Sequence, residues 1–382
     1  MLCKTVPETV DVLSQRYIAV WEDICNLESP TSDKAGVDAV GRYLENLARE
    51  KGWQVERLPM EKAGDPICIT MNPQVLAAPI TLSGHIDTVH PVGLFGSPAV
   101  RREGDFLYGP GVTDCKGGVV AAFLAMDALA HCGFTARPVQ LILQTDEETG
   151  SLESGKKTVE FMCEKAKGSV AFLNAEPGST QTAVLSRKGI WRVEFNVHGK
   201  ASHSADCCNG ANAIAEAAHK ILRLEQMKDP DELTCNCGVI RGGTVANTVA
   251  AECVFSADIR FANEEQYRQA EEIVKAAADN SQISGCTCQI ETVSYRPAMP
   301  LVEQNVRLLE AINRIYEANG MPQLAAKHSA GGSDAAYTTE AGIPTVDSLG
   351  VEGRYIHSVK EMARISSLAE AAKRLAAVVA AL

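Results

Sequence analysis

The sequence predicts an α/β layer fold carrying an inserted α+β unit, and three features of its 382 residues lead there. Short apolar runs alternate with helical segments through Glu176, the signature of a sheet with helices packed on its faces. Near Ser186 the texture changes. Ile190-Trp191-Arg192-Val193-Glu194-Phe195-Asn196-Val197 alternates apolar and polar residues, as a half-exposed antiparallel strand does. At Arg296-Pro297-Ala298 the chain turns back, and helical periodicity resumes to the end. The expected domains are residues 1–186 with 297–382, and an insert over 187–296. The length itself favours two cores over one.

Taken in order, Val6 to Leu27 is an amphipathic helix, with Val10, Leu13, Tyr17, Val20, Trp21 and Ile24 near helical spacing. Ser29-Pro30-Thr31-Ser32-Asp33 breaks it and caps a second helix over Lys34 to Lys51. Two strands and a turn lead to Pro79-Ile80-Thr81-Leu82, a buried strand. A Gly-rich turn follows, then a helix over Val119–Ala130, a strand over Val139–Gln144, a helix from Thr158 to Lys165, and a strand over Val170–Ala175. The insert reads β-α-β-β-α-β: the Ile190 strand, a helix over Ala211–Glu225, strands at Val239–Ile240 and Glu252–Phe261, a helix over Glu264–Asn280, and a strand over Thr287–Val293. Helices at Asn305–Asn319 and Ser366–Ala381 complete the parent domain.

Composition narrows the function classes. Hydrophobic residues make up 46% and charged residues 22%, as in an ordinary globular protein. A net charge of −12 argues against nucleic-acid or anionic-membrane partners, which select basic surfaces. The N-terminus lacks a basic-then-apolar signal pattern, and no run reaches membrane-spanning length. The 13 cysteines are odd in number and scattered, with C-x-C pairs at Cys235/Cys237 and Cys286/Cys288, adjacent Cys207-Cys208 and no C-x-x-C. That usage fits reduced thiols in a cytoplasm better than a disulfide framework or a cysteine zinc site.

The informative chemistry gathers around Gly84-His85-Ile86-Asp87-Thr88-Val89. His85 and Asp87, two apart in extended backbone, point to one side. A neutral imidazole ligates zinc well, and a neighbouring carboxylate orients the ring; a strand-end His alone is more often structural. Asp114 lies in Gly109-Pro110-Gly111-Val112-Thr113-Asp114-Cys115-Lys116-Gly117-Gly118 at a helix entrance, where an acid is also a good cap. Asp146-Glu147-Glu148 ends one strand, and such acids need a cation or solvent. Glu176-Pro177 ends another, and Tyr355-Ile356-His357-Ser358 supplies a second imidazole. Ligands of open α/β sheets gather outside the strands' carboxyl ends. Two His with several carboxylates suit two divalent ions sharing a bridging carboxylate.

In this order the motifs resemble the co-catalytic zinc aminoacylase and carboxypeptidase family. That family includes glutamate carboxypeptidases, acetylornithine deacetylases, succinyl-diaminopimelate desuccinylases and peptidase T. The chain looks most like the bacterial glutamate carboxypeptidases, through Glu176 before Pro, Gly331-Gly332-Ser333-Asp334-Ala335-Ala336-Tyr337, and Ser348-Leu349-Gly350. The resemblance implies a three-layer zinc-exopeptidase catalytic domain with an inserted ferredoxin-like dimerisation and lid domain. It implies two Zn2+ per subunit, replaceable by Co2+ or Mn2+, with Asp114 bridging, His85 and Glu176 completing one site, and Glu148 and His357 the other. Glu147 would be the general base for a metal-activated water, and Asp87 the partner of His85. Cys115 stands where many relatives carry another Asp beside a cis peptide; it reads as a small tolerated side chain.

In the insert, His203 of Gly199-Lys200-Ala201-Ser202-His203-Ser204-Ala205 matches a residue that reaches the neighbouring subunit's site in the family and helps hold the reacting oxygen. Asn247 and Arg260 match positions that contact substrate, and Arg296 and Lys188 are further candidates. Arg suits a carboxylate through its planar fork; for Arg260 the structural alternative is an ion pair with a strand neighbour. The expectation is a cytoplasmic, homodimeric zinc exopeptidase acting on small peptides or N-acyl amino acids and releasing a C-terminal amino acid, glutamate in the nearest-looking relatives. The alternative within the family is an N-acyl amino acid deacylase of acetylornithine or succinyl-diaminopimelate type. A non-catalytic binding protein has no need of so many converging acids, and a thiol-dependent protein predicts indifference to chelators.

Overall fold

A computed structural model describes residues 5–229, 231 and 233–382. Helix α1 (Val6–Asn26) starts with a reciprocal cap between Thr5 and Glu8 and has a proline in its first turn. Helix α2 (Lys34–Glu50) is capped by Asp33, whose Oδ1 accepts from the Ala35 N–H at 3.1 Å. Strands β1 (Gln54–Arg57), β2 (Ile67–Met71), β3 (Ile80–His85), β4 (Arg101–Glu103) and β5 (Phe106–Tyr108) follow. Then come α3 (Lys116–His131), β6 (Val139–Gln144), α4 (Lys157–Ala166), β7 (Ala171–Asn174) and β8 (Thr182–Arg187). Next are β9 (Gly189–His198), α5 (Ala213–Leu224), β10 (Thr234–Gly242), β11 (Glu252–Phe261), α6 (Glu264–Asp279) and β12 (Thr287–Arg296). The chain closes with α7 (Glu303–Ala318), β13 (Ala325–Ser329), α8 (Ala335–Glu340), β14 (Thr345–Val346), β15 (Gly353–Arg354), β16 (Met362–Arg364) and α9 (Ser367–Ala381).

Two compact units result: Met1–Leu185 with Leu301–His328 and Ser333–Leu382, and Ser186–Pro300 with Ser329–Gly332. The second unit is larger than the expected insert over 187–296. Its extension has a local cause. Arg187 donates from Nη1 to Ser329 Oγ at 3.2 Å and to the Gly331 carbonyl at 3.1 Å, and a Cβ at Gly332 would lie 2.7 Å from Arg296 Nη1. The Met299 N–H donates to the Arg187 carbonyl at 3.0 Å, which carries the chain past Arg296 before it leaves.

The first unit is built on a six-stranded sheet in the order β1-β2-β6-β3-β7-β14. β1, β2 and β6 pair antiparallel, whereas β6, β3, β7 and β14 run parallel. The parallel strands are buried along nearly their whole length, with Gln140 of β6 half-buried, so they lack the alternation of half-exposed strands. Helix α3 is apolar on every side, with Val119, Val120, Phe123, Leu124 and Met126 fully buried, as a central helix must be. Its start needs glycine: a Cβ at Gly118 would sit 1.8 Å from the Ala175 carbonyl oxygen. On the other side, α1 fixes the turn ahead of α3 through Trp21 Nε1, which donates to the Val112 carbonyl at 3.0 Å.

The second unit is an antiparallel sheet in the order β10-β11-β9-β12 with α5 and α6. With β-α-β-β-α-β connectivity this is the ferredoxin-like arrangement. Its own core includes Trp191, Val193, Phe195, Phe255 and Phe261, with Phe195 and Phe255 stacked at 4.6 Å. Short strands β4, β5, β15 and β16 form a separate small sheet that patterning does not predict, because two or three polar-rich residues carry no period. No helix among the described residues is long and apolar enough to cross a membrane. All described cysteines are free.

Candidate metal centre

The parallel strands deliver their chemistry at one edge. β3 ends in His85, β6 leads into the short 3-10 turn Glu147–Thr149, and β7 runs two residues on to Glu176. These three strands are neighbours, so their carboxyl ends lie side by side. Asp114 reaches the same place from the turn after β5, and His357 from the loop between β15 and β16.

Side-chain distances show the convergence. His85 Nε2 lies 3.1 Å from Asp114 Oδ1 and 3.9 Å from Glu176 Oε1. His357 Nε2 lies 3.1 Å from Asp114 Oδ2 and 3.1 Å from Glu148 Oε2. One carboxylate, Asp114, therefore stands between two imidazoles, each with a second acid. Asp87, fully buried, organises the surroundings. It accepts from Thr31 Oγ1 at 2.7 Å and from the N–H groups of Glu147 and Glu148 at 3.3 and 3.2 Å. Glu147 is buried beside Glu148.

The chemistry of this donor set fits divalent cations. His85 Nδ1 faces the Asp87 carbonyl at 3.0 Å and must donate there, which leaves Nε2 to confront carboxylate oxygens. A lone pair there needs a cation, or the ring must hold a second proton. Burial lowers the His85 pKa, yet Cys115, Asp114 and Asp87 outweigh it and hold the value well above the ordinary range. Hydrogen bonds to Asp114 and Glu148 raise His357 to about 10. Burial pushes Glu148 up to about 7 and Glu176 well above a usual carboxylate. Burial also works against ionised Asp114, but His357 and His85 bring its pKa below normal. Glu148 and Glu176 raised by burial, beside imidazoles raised by carboxylates, mark a cluster that a cation would relieve. His85, Asp114 and Glu148, and His85, Cys115 and Glu176, each offer donor atoms within 4.8 Å of one another. Cys115 Sγ, however, is engaged by the His85 N–H at 3.0 Å, and the Asp114–Cys115 peptide is cis.

The remaining expected residues lie in the second unit. His203 is exposed at the start of a short 3-10 turn, and Asn247 is its neighbour, since the Ser204 N–H donates to the Asn247 carbonyl at 2.9 Å. Arg260 forks onto Asp258, with Nε 2.6 Å from Oδ1 and Nη2 3.2 Å from Oδ2, which is the strand-neighbour ion pair weighed against a substrate role. Arg296 is buried, and Lys188, also buried, has a pKa lowered by desolvation.

Comparison with known proteins decides the family. Residues 81–381 match the model of peptidase family M20/M25/M40. This chain belongs to that family. Carboxypeptidase G2 of Pseudomonas sp. (strain RS-16) is 30% identical over 350 residues, covering 90% of this chain and 83% of the relative. Acetylornithine deacetylase of Myxococcus xanthus is 28% identical over 289 residues, covering 72% of this chain and 70% of the relative. Among solved structures, a tripeptidase from Staphylococcus aureus superposes with a TM-score of 0.79 at 19% identity, covering 96% of this chain and 97% of that one. The M20 family metallo-carboxypeptidase Sso-CP2 from Sulfolobus solfataricus gives 0.76 at 16% identity, covering 96% and 98%.

As an M20/M25/M40 member the protein is a metal-dependent hydrolase of the metallopeptidase and amidohydrolase type. Sequence reading missed two residues beside its centre, His90 and Glu361, which are buried and bonded at 2.8 Å. A His three residues beyond Asp87 and an acid four beyond His357 were the available signals, but a pairing across 271 residues leaves no local pattern.

Proposed function

We propose that the chain is a dizinc exopeptidase of glutamate-carboxypeptidase type, hydrolysing an amide to release a C-terminal amino acid, glutamate foremost. The observation that carries this is the Asp114 carboxylate placed between His85 and His357, each backed by a further acid. His85, Asp114 and Glu176 would hold one cation, and His357, Asp114 and Glu148 the other. Bound there, two zinc ions supply Lewis-acid activation of water and of the scissile carbonyl.

The protein's own groups do the rest. Glu147 takes the proton of the attacking water and returns it to the leaving amine, which a buried carboxylate beside the ligands suits. Asp87 and its carbonyl fix the His85 ring with Nδ1 protonated, so that Nε2 faces the centre. His203, Asn247, Arg260 and Arg296 are the proposed substrate contacts, His203 toward the developing oxyanion and the arginines toward the free carboxylate. The cytoplasmic homodimer belongs to the same proposal. Strand β10, at the sheet edge with exposed Val239 and Ile240, is the kind of surface that subunits cover.

The test is a release assay with the zinc-loaded protein on dipeptides and N-acyl amino acids, with and without chelator. Chelator-sensitive release of glutamate or another C-terminal residue from peptide-like substrates is expected. Turnover confined to acetyl or succinyl amino acids would replace this reading with the deacylase, which the acetylornithine deacetylase relative supports.

A further inference from the structure

Asp114 can serve two partners only if the turn that carries it is held still. The Glu361 carboxylate, 1% exposed, lies against that turn. Its Oε1 accepts from the Thr113 N–H at 2.9 Å and the Asp114 N–H at 3.1 Å. Its Oε2 accepts from the Gly111 N–H at 3.3 Å and from His90 Nε2 at 2.8 Å. A carboxylate offers about four lone-pair positions, and donors take all of them here. The backbone continues the grip: the Gly109 N–H donates to the Glu361 carbonyl at 3.3 Å and Thr113 Oγ1 to the Met362 carbonyl at 2.8 Å. These bonds prolong the β5–β16 pairing, in which Met362 faces Tyr108.

The sequence relation adds the point. Glu361 follows His357 by four residues, and His357 meets the Asp114 side chain at 3.1 Å. One short segment therefore holds Asp114 twice, by its carboxylate through His357 and by its backbone through Glu361. His90 ties the same carboxylate to the loop that leaves His85 and Asp87.

We propose that Glu361, with His90 as its donor partner, is a positioning residue that fixes the Asp114 carboxylate between His85 and His357 and so sets the affinity of the centre for divalent metal. It rests on the metal reading above and acts through Asp114. Glutamine replaces it poorly: turned one way its NH2 faces the Thr113 and Asp114 N–H groups, and turned the other it faces the Gly111 N–H and makes His90 change tautomer. Aspartate keeps the acceptors but sits one methylene short.

The experiment titrates zinc alone, by competition with a chelating dye, into the wild type, Glu361→Gln and Glu361→Asp, and records the metal-free melting temperature, kcat and KM for each. Glu361→Gln should bind zinc about 10–100-fold more weakly, the usual cost of losing a group that orients a ligand. Its kcat at saturating zinc should fall while KM stays nearly unchanged, and Glu361→Asp should be intermediate. Zinc affinity and kcat equal to the wild type, whatever the melting temperature does, overturn the proposal and leave Glu361 a structural clasp. Should Glu361→Gln not fold, His90→Asn decides on the same readouts: several-fold weaker zinc supports the role, and unchanged affinity overturns it. A wild type that takes up no zinc instead removes the function proposed above, and this inference with it.

Discussion

At the residue scale, the adjacent Glu147 and Glu148 sit on one short turn, and the roles proposed for them differ. The N–H groups of Glu147 and Glu148 are both anchored on Asp87, at 3.3 and 3.2 Å, so one buried carboxylate holds the turn that carries both side chains. Glu148 then meets His357 at 3.1 Å. Glu147 is absent from both donor groupings, which are His85 with Asp114 and Glu148, and His85 with Cys115 and Glu176. A residue that moves a proton without holding the metal can be deleted without emptying the site. Glu147→Ala should therefore keep the wild-type metal content and lose about 10²–10⁴-fold in kcat, the ordinary worth of a general base. Metal analysis beside steady-state kinetics checks this; near-normal turnover in the metal-replete variant would sink the general-base role.

At the scale of elements, the start of α3 shows how packing decides what the site can be. Helix propensity favours alanine over glycine by about 1 kcal/mol in a helix interior. Gly118 nevertheless stands in the first turn of α3, because α3 approaches the end of β7 closely enough to put an added Cβ 1.8 Å from the Ala175 carbonyl oxygen. That overlap exceeds anything a rotamer change relieves, so the helix would have to retreat from the strand that leads to Glu176. Gly118→Ala should lose stability by about 1–3 kcal/mol, the usual cost of overpacking, despite the propensity gain. Denaturant unfolding measures it, and a stabilised variant would mean that α3 and β7 are not so close. The sequence showed Gly117-Gly118 as turn chemistry. Their actual reason, close approach between elements far apart in the chain, has no local signature.

Across the whole molecule, legibility followed the range of the interactions. Parallel strands announce themselves as apolar runs, and His85, Glu148 and Glu176 stand at or just after strand ends in the sequence; the strand order β6-β3-β7 is what sets those ends side by side. The β9–β12 sheet was readable because alternation survives in half-exposed strands, with β11 alternating exposed or intermediate and buried positions along its length. The clasp of Glu361 on the Asp114 turn and the capture of Ser329–Gly332 by the second unit were not, since both depend on contacts made only after folding. The two units have separate hydrophobic cores, and every proposed metal ligand lies in the first. Metal bound only to the folded first unit should stabilise that unit by RT ln(1 + [L]/Kd), about 4 kcal/mol at a free concentration of 1,000 Kd. Scanning calorimetry of the zinc-loaded protein should thus show the first unit's transition move down on chelation, while a transition belonging to the second unit stays where it was. The two are assigned by tryptophan substitution, Trp21 and Trp53 reporting on the first unit and Trp191 on the second. Equal downward shifts of both would mean that the units unfold as one, and no shift in either would mean that metal does not bind the folded first unit.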